Sequence, residues 1–269
     1  MSVAEKELEA RLAGLPDADS DFTQCTLFLI KSHGLVDETL KLLEGNPDAT
    51  TDTVIEFRLE YCGDIEFYDD DGSRVPVSTD RLKLTIGMRE FLMQLKGKTL
   101  KSYQFASVGN ARGKLADCNV RINLGQHAID LNCYNFAFDI AGKVIELGAM
   151  HCERMSLQDD FRPWTDGPFH AYAVNERITG VELVTDYAKV EVDGELSEFD
   201  IDVAVALRTA HAVYTFARES WRSTELSIAV ADDIVIPYEV SECDVEWMGL
   251  SAEDGVSAVK VKRSTTKLA

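Results

Sequence analysis

From Phe199 to Leu207 every second residue is apolar (Phe199, Ile201, Val203, Val205 and Leu207), and between them stand Asp200, Asp202, Ala204 and Ala206. Successive side chains of a β-strand leave opposite faces, so this period of two sets one face against a core and the other, with its acids, toward water. Leu226, Ile228 and Val230 repeat the pattern against Glu225, Ser227 and Ala229. Earlier it appears in Val120-Ile122-Leu124, in Ile129-Leu131 and in Tyr134-Phe136-Phe138-Ile140, the last closed by Ala141-Gly142. Strands half-buried in this way pair antiparallel, and a meander or Greek key is expected.

The same alternation is read from Asp52 onward. Ile55, Phe57, Leu59 and Tyr61 alternate with Glu56, Arg58 and Glu60, and Ile65 and Phe67 continue toward a turn at Asp69-Asp70-Asp71-Gly72. Laid on Val181-Glu182-Leu183, Asp186-Tyr187, Val190-Glu191-Val192 and Asp193-Gly194, this segment predicts two related hairpins, each opening a β-rich half.

Helical spacing is confined to two regions. Up to Asn46, Leu8, Leu12 and Leu15 form one apolar stripe. Phe22, Cys25, Leu29 and Ile30 form a second behind a cap at Ser20 or Asp21, although Cys25–Ile30 reads equally as a buried strand. Val36, Leu40 and Leu43 form a third, ended by Gly45-Asn46-Pro47. Farther on, Leu84, Met88, Phe91, Leu92 and Leu95 predict an amphipathic helix near 84–95, capped by Thr79 or Asp80 and stopped by Gly97. The fold class is α+β, predominantly antiparallel sheet. Its organisation is a helical segment 1–46, a β-rich half 47–152 with one helix, a connector 153–168 and a β-rich half 169–269.

The chain has 269 residues and a formal net charge of −20. Phosphate backbones and anionic headgroups do not attract such a surface, so no direct nucleic acid or membrane binding is expected, and the favoured partner is a protein with a basic face. The basic run Lys260-Val261-Lys262-Arg263 reads as a solvated strand end. The first residues show no basic leader followed by an apolar block, and no run approaches the roughly 20 apolar residues of a membrane span, which predicts a cytoplasmic protein. Cys25, Cys62, Cys118, Cys133, Cys152 and Cys243 contain no C-x-x-C pair and read as reduced, mostly buried small hydrophobes.

Signatures of chemistry are sparse. His151-Cys152-Glu153 is the densest cluster of ligand types. A structural zinc site needs about four ligands, which no second cluster supplies, so no metal and no cofactor is expected. His151 and Cys152 are the best available catalytic residues, for a hydrolase whose other groups, among them His127 and His170, would converge only in three dimensions. Neighbours on a strand point to opposite faces, which counts against direct activation of Cys152 by His151. Asp69–Asp71, Asp159-Asp160 and Asp232-Asp233 read as turn-capping acids, and Gly109–Lys114 matches no phosphate-binding loop. For partner binding, Trp and Arg are the residue types enriched at interface hot spots. That selects Arg218, Trp221 and Arg222, unless Trp221 is a core residue over a sheet end, together with Trp164 in the connector.

Phe199 through Val230, with Arg218-Glu219-Ser220-Trp221 leading into Glu225-Leu226-Ser227-Ile228, resembles uncharacterised bacterial proteins found with mobile elements. The resemblance covers a small part of the chain and implies an origin rather than an activity. The expected function is a non-enzymatic, acidic protein-binding module of the inhibitor or immunity type. The alternatives are the hydrolase around His151 and Cys152, and a structural or assembly protein using its strand edges.

Overall fold

The computed structural model describes residues 3–16, 18, 22–23, 26–27, 30–31, 35–62, 78–107, 115–140, 142–156, 167–243 and 256–269. Two antiparallel sheets dominate it. The first, in the order β5-β4-β3-β1-β6, contains β1 (Thr99–Ala106), β3 (Asn119–Asn123), β4 (His127–Ile140), β5 (Lys143–Ser156) and β6 (Phe169–Arg177). The second, in the order β11-β7-β8-β9-β10-β2, contains β2 (Leu115–Ala116), β7 (Gly180–Val192), β8 (Glu195–Arg208), β9 (Val213–Arg218), β10 (Leu226–Ala231) and β11 (Val256–Lys267). β2 takes the chain from the first sheet to the edge of the second, and a bridge between Ser107 and Ala116 joins the two there. β6 pairs with β1 from the far side of the predicted connector.

The N-terminal helices form as the spacing predicts at Val3–Ala13 and Val36–Gly45, and the described residues among 22–31 are helical. Leu8, Leu12, Leu27, Ile30, Leu43, Ala49 and Val54 bury into one apolar cluster. The last two come from a part of the chain expected to be sheet. Thr51–Cys62 is a helix, which corrects the predicted strand at Ile55–Tyr61. The missed signal is its cap: Thr53 N–H donates to Thr50 Oγ1 at 3.4 Å while Thr50 N–H donates back to Thr53 Oγ1 at 3.1 Å. Val54, Phe57 and Tyr61 also fit a helical face, so the run satisfied two periods at once and the cap decided between them. The alignment of Ile55–Gly72 on Val181–Gly194 therefore sets a helix against a strand; Ile65, Phe67 and Asp69–Asp71 lie outside the described residues.

The amphipathic helix predicted near 84–95 is present and shorter, at Ile86–Met93. Thr85 caps it, its Oγ1 accepting from Met88 N–H at 3.3 Å, whereas Thr79 begins a separate 3₁₀ turn. Leu84, Met88, Leu92 and Leu95 bury against the sheets as the spacing requires.

Two long hairpins organise the cores. Asp193 and Gly194, both at positive φ, close β7 on β8 in the two-residue turn that Asp-Gly favours. Near their open ends, Ile129, Leu131 and Cys133 of β4, with Met150 and Cys152 of β5, join Val181, Leu183, Val205 and Leu207 in one apolar cluster. Toward the turns, Phe136, Phe138 and Ile140 of β4, with Ile145, Leu147 and Ala149 of β5, join Val184, Val190, Val192, Phe199 and Ile201 in another. On β4 the buried set passes from odd to even positions, so each core uses the opposite face of the same hairpin. On β8 the odd numbering persists through both cores because Val184 pairs with Ala204 but Thr185 with Asp202, a bulge that inserts Val203 and exchanges the faces.

That bulge also overturns the expectation that Asp202 points to water. Asp202 is fully buried; it accepts from Leu84 N–H at 2.7 Å, Thr185 Oγ1 at 2.7 Å and Arg89 Nη2 at 2.9 Å. It ties the capped helix to the second sheet. No described helix is long and apolar enough to cross a membrane.

Candidate functional site

Arg121, Asp130 and Glu153 stand in one cross-strand row on β3, β4 and β5. Arg121 grips Asp130 with both ends of its fork, Nε to Oδ1 at 2.7 Å and Nη2 to Oδ2 at 2.8 Å, and both residues are buried. Paired and fully hydrogen-bonded, such charges tolerate loss of water. Glu153, next in the row, faces Asp130 without a second arginine in the described row, so burial first and the Asp130 charge second push its carboxyl up to about 7. His151 lies one row along; its Nε2 is 3.5 Å from Glu153 Oε1, and Tyr134 meets its ring edge-on. Burial, then Glu153, pushes the Tyr134 phenol up as well. On this face Glu153 is the carboxyl whose proton affinity burial and Asp130 raise toward neutrality, with His151 and Tyr134 beside it.

Cys152 is not part of it. Its side chain leaves the other face of β5 into the apolar core, and burial pushes the thiol up, away from the nucleophilic thiolate. His127 begins β4 beside the Phe91 ring, and His170 on β6 stacks on Phe105 at 5.1 Å with its Nε2 3.1 Å from Ser107 Oγ. The structure thus brings His151 to Glu153 and Tyr134, and it seats Cys152, His127 and His170 elsewhere. Among the described residues no three His, Cys, Asp or Glu side chains converge as metal ligands would.

The charge state of Glu153 makes stability depend on pH. A carboxyl held at about 7 when folded and near its ordinary value when unfolded keeps its proton more firmly in the folded state. Stability is then complete below the unfolded value and declines as pH rises through about 7. Discounted for the quarter of its side chain that water reaches, the decline attributable to Glu153 is about 2 kcal/mol. Glu153→Gln should remove that part of the slope in denaturant midpoints measured between about pH 5 and about pH 8. An unchanged slope would place the titration elsewhere.

The residues selected for partner binding divide by burial. Arg218 and Trp221 are fully buried, Arg222 is exposed, and Trp164 lies outside the described residues. Trp221 covers the second core, and its Nε1–H donates to Asp186 Oδ2 at 3.1 Å. Asp186 is fully buried and also receives Tyr238 Oη–H at 2.9 Å, Arg263 Nε at 2.7 Å and Arg263 Nη2 at 2.9 Å. The Arg263 guanidinium in turn lies over the Tyr238 ring at 4.6 Å. This centre was not recognised from sequence. Its available signal was an acid, Asp186, at the inward position of a strand between Val184, Ala188 and Val190.

Beside it a groove of about 430 Å³ runs between β11 and the segment after β10, lined by Val184, Arg208, Asp233, Ile234, Ile236 and Arg263 among others. Arg208 spans it, donating to Glu182 at 2.7 Å and to Asp233 at 3.0 Å. No protein-family model, no curated protein and no solved structure matches this chain.

Proposed function

We propose that the protein is a non-enzymatic binding module that docks its acidic surface on a basic face of a protein partner, in the manner of an inhibitor or immunity-type factor. The observation that carries this reading is the turn of the β7–β8 hairpin. Leu196, directly opposite Glu191, keeps 61% of its surface exposed, and Asp193, Glu195 and Glu198 surround it in sequence. Glu198 is held by Lys189 and Tyr187. Glu191, Asp193 and Glu195 have no ion-pair partner among the described residues. An exposed apolar side chain beside an acidic turn suits a partner with an apolar depression bordered by Lys or Arg.

The salt dependence of association tests it. At physiological ionic strength charges are screened beyond about 8 Å, so capture of a basic partner from lysate of the source organism should fall at least about tenfold between low and high salt. The triple variant Glu191→Lys, Asp193→Asn, Glu195→Lys should lose the same protein at low salt; asparagine preserves the left-handed turn. A partner retained equally by the variant and in high salt would overturn the reading.

A further inference from the structure

Asn119 and Asn132 pair across β3 and β4, and one step beyond them Cys133 N–H donates to the Cys118 carbonyl at 2.8 Å. Facing residues of an antiparallel ladder have α-carbons about 4.5–5.5 Å apart. A disulfide spans about 4.4–6.8 Å.

The two side chains converge on one short stretch of chain. Cys118, at φ +59°, donates its Sγ–H to Asp117 Oδ1 at 3.2 Å and receives a hydrogen bond from the side chain of Thr224. Cys133 donates to the carbonyl of Ser223 at 3.5 Å. Ser223 and Thr224 are consecutive, so both sulfurs are held against the same dipeptide. Cys118 is half-buried and reachable from solvent, whereas Cys133 is fully buried.

Arg218 supplies the second observation. It is fully buried, its Nη2 donates to the Trp221 carbonyl, and Nε and Nη1 have no hydrogen-bond partner among the described residues. Its guanidinium lies beside the Cys133 sulfur and favours the thiolate there, although burial has the larger, opposite effect. A buried cation short of an anion is costly. A thiolate formed transiently at Cys133 would answer it.

From these contacts we propose that Cys118 and Cys133 form a modification site, closing to a cross-strand disulfide by exchange with a low-molecular-weight disulfide. In the first step the Cys118 thiolate attacks one sulfur of the small disulfide, forming a mixed disulfide and expelling one thiolate. In the second, the Cys133 thiolate attacks the Cys118 sulfur, the Cys118–Cys133 bond forms, and the second small thiolate leaves. The two protons of the cysteine thiols end on the two small thiols, and the small disulfide is the oxidant. Burial pushes the Cys118 thiol up to about 11, so exchange is slow near neutrality. It should accelerate about tenfold per pH unit below that value, in step with the thiolate fraction.

The test uses the folded, full chain and oxidised glutathione as the probe, followed by alkylation, digestion and mass spectrometry. The expected product is a peptide linking Cys118 to Cys133, reached through a transient glutathione adduct on Cys118. In Cys133→Ser the adduct on Cys118 should persist, and in Cys118→Ser neither link nor adduct should form at Cys133. Melting curves of both variants check that each is folded. The proposal is overturned by an adduct on Cys118 that persists in the unsubstituted protein, by links to Cys152 or Cys243 instead, or by no reaction at Cys118 while the denatured chain reacts fully.

Discussion

Asp186→Ala is expected to cost about 3–5 kcal/mol of folding stability, the largest effect of any single substitution considered for this chain. The carboxylate accepts four hydrogen bonds, two from Arg263 and one each from Trp221 and Tyr238, with no exposed surface of its own. Alanine removes every acceptor together, stranding a guanidinium, an indole N–H and a phenol in the second core. Breaking such a network by deleting one partner is far more damaging than replacing the whole with apolar groups. Asp186→Asn, which keeps an oxygen for Trp221 or Tyr238 but cannot neutralise Arg263, should fall between wild type and alanine. Adding Arg263→Met to Asp186→Ala should recover part of the loss, because the unpaired charge is then gone. Denaturant midpoints of the four proteins measure this directly. A single-variant loss below about 1 kcal/mol would mean that the three donors find other acceptors and that Asp186 does not organise the core.

Gly148→Ala should destabilise by about 3 kcal/mol, the upper end of the range for overpacking. A methyl at this position would lie 2.7 Å from the Ser223 carbonyl, 2.8 Å from Arg218 Nη2 and 3.2 Å from Cys133 Sγ. The glycine is there for closeness rather than for an unusual φ: Gly148 N–H donates to the Trp221 carbonyl at 2.7 Å, fastening the connection between β9 and β10 of the second sheet onto β5 of the first. Two of the three obstructing atoms belong to groups that cannot swing aside, a backbone carbonyl and a guanidinium with no exposed surface. The variant should therefore show both a lower midpoint and a perturbed Trp221 environment in near-ultraviolet circular dichroism. An unchanged midpoint would mean that the two sheets can separate at this contact without penalty.

The strands from Val120 to Ile140 and from Val181 to Val230 were legible because half-buried antiparallel sheet imposes its period directly on the sequence. The helix at Thr51–Cys62 was not, since Ile55, Phe57, Leu59 and Tyr61 satisfy a period of two while Val54, Phe57 and Tyr61 satisfy a helical one. The reciprocal Thr50–Thr53 cap was the local feature that separated them. Opposite exits of His151 and Cys152 followed from the pleat alone. The same pleat sets His151 and Glu153 on one face, two residues apart on β5, whereas the register of β4 on β5 is what places Asp130 beside Glu153 and raises its proton affinity.

By itself, the sequence determined that this chain is a mainly antiparallel α+β protein, that its N-terminal residues are helical, and that it carries a large excess of acid. Those properties are local or additive: a period, a spacing, a sum of charges. Only the tertiary structure decided where particular polar groups went. Asp200 and Asp202 occupy equivalent places in one alternating run and share a face, yet the first is half-buried while Leu84 and Arg89 reach over the second and leave it no exposed surface at all. Asp186 and Arg263 are far apart in the chain and meet because β7 pairs with β11. The physical reason is common to both cases. Burying a charge is unfavourable until a partner arrives, and the partner is supplied by strand register and by a second layer, neither of which is written in the residues that flank the charge.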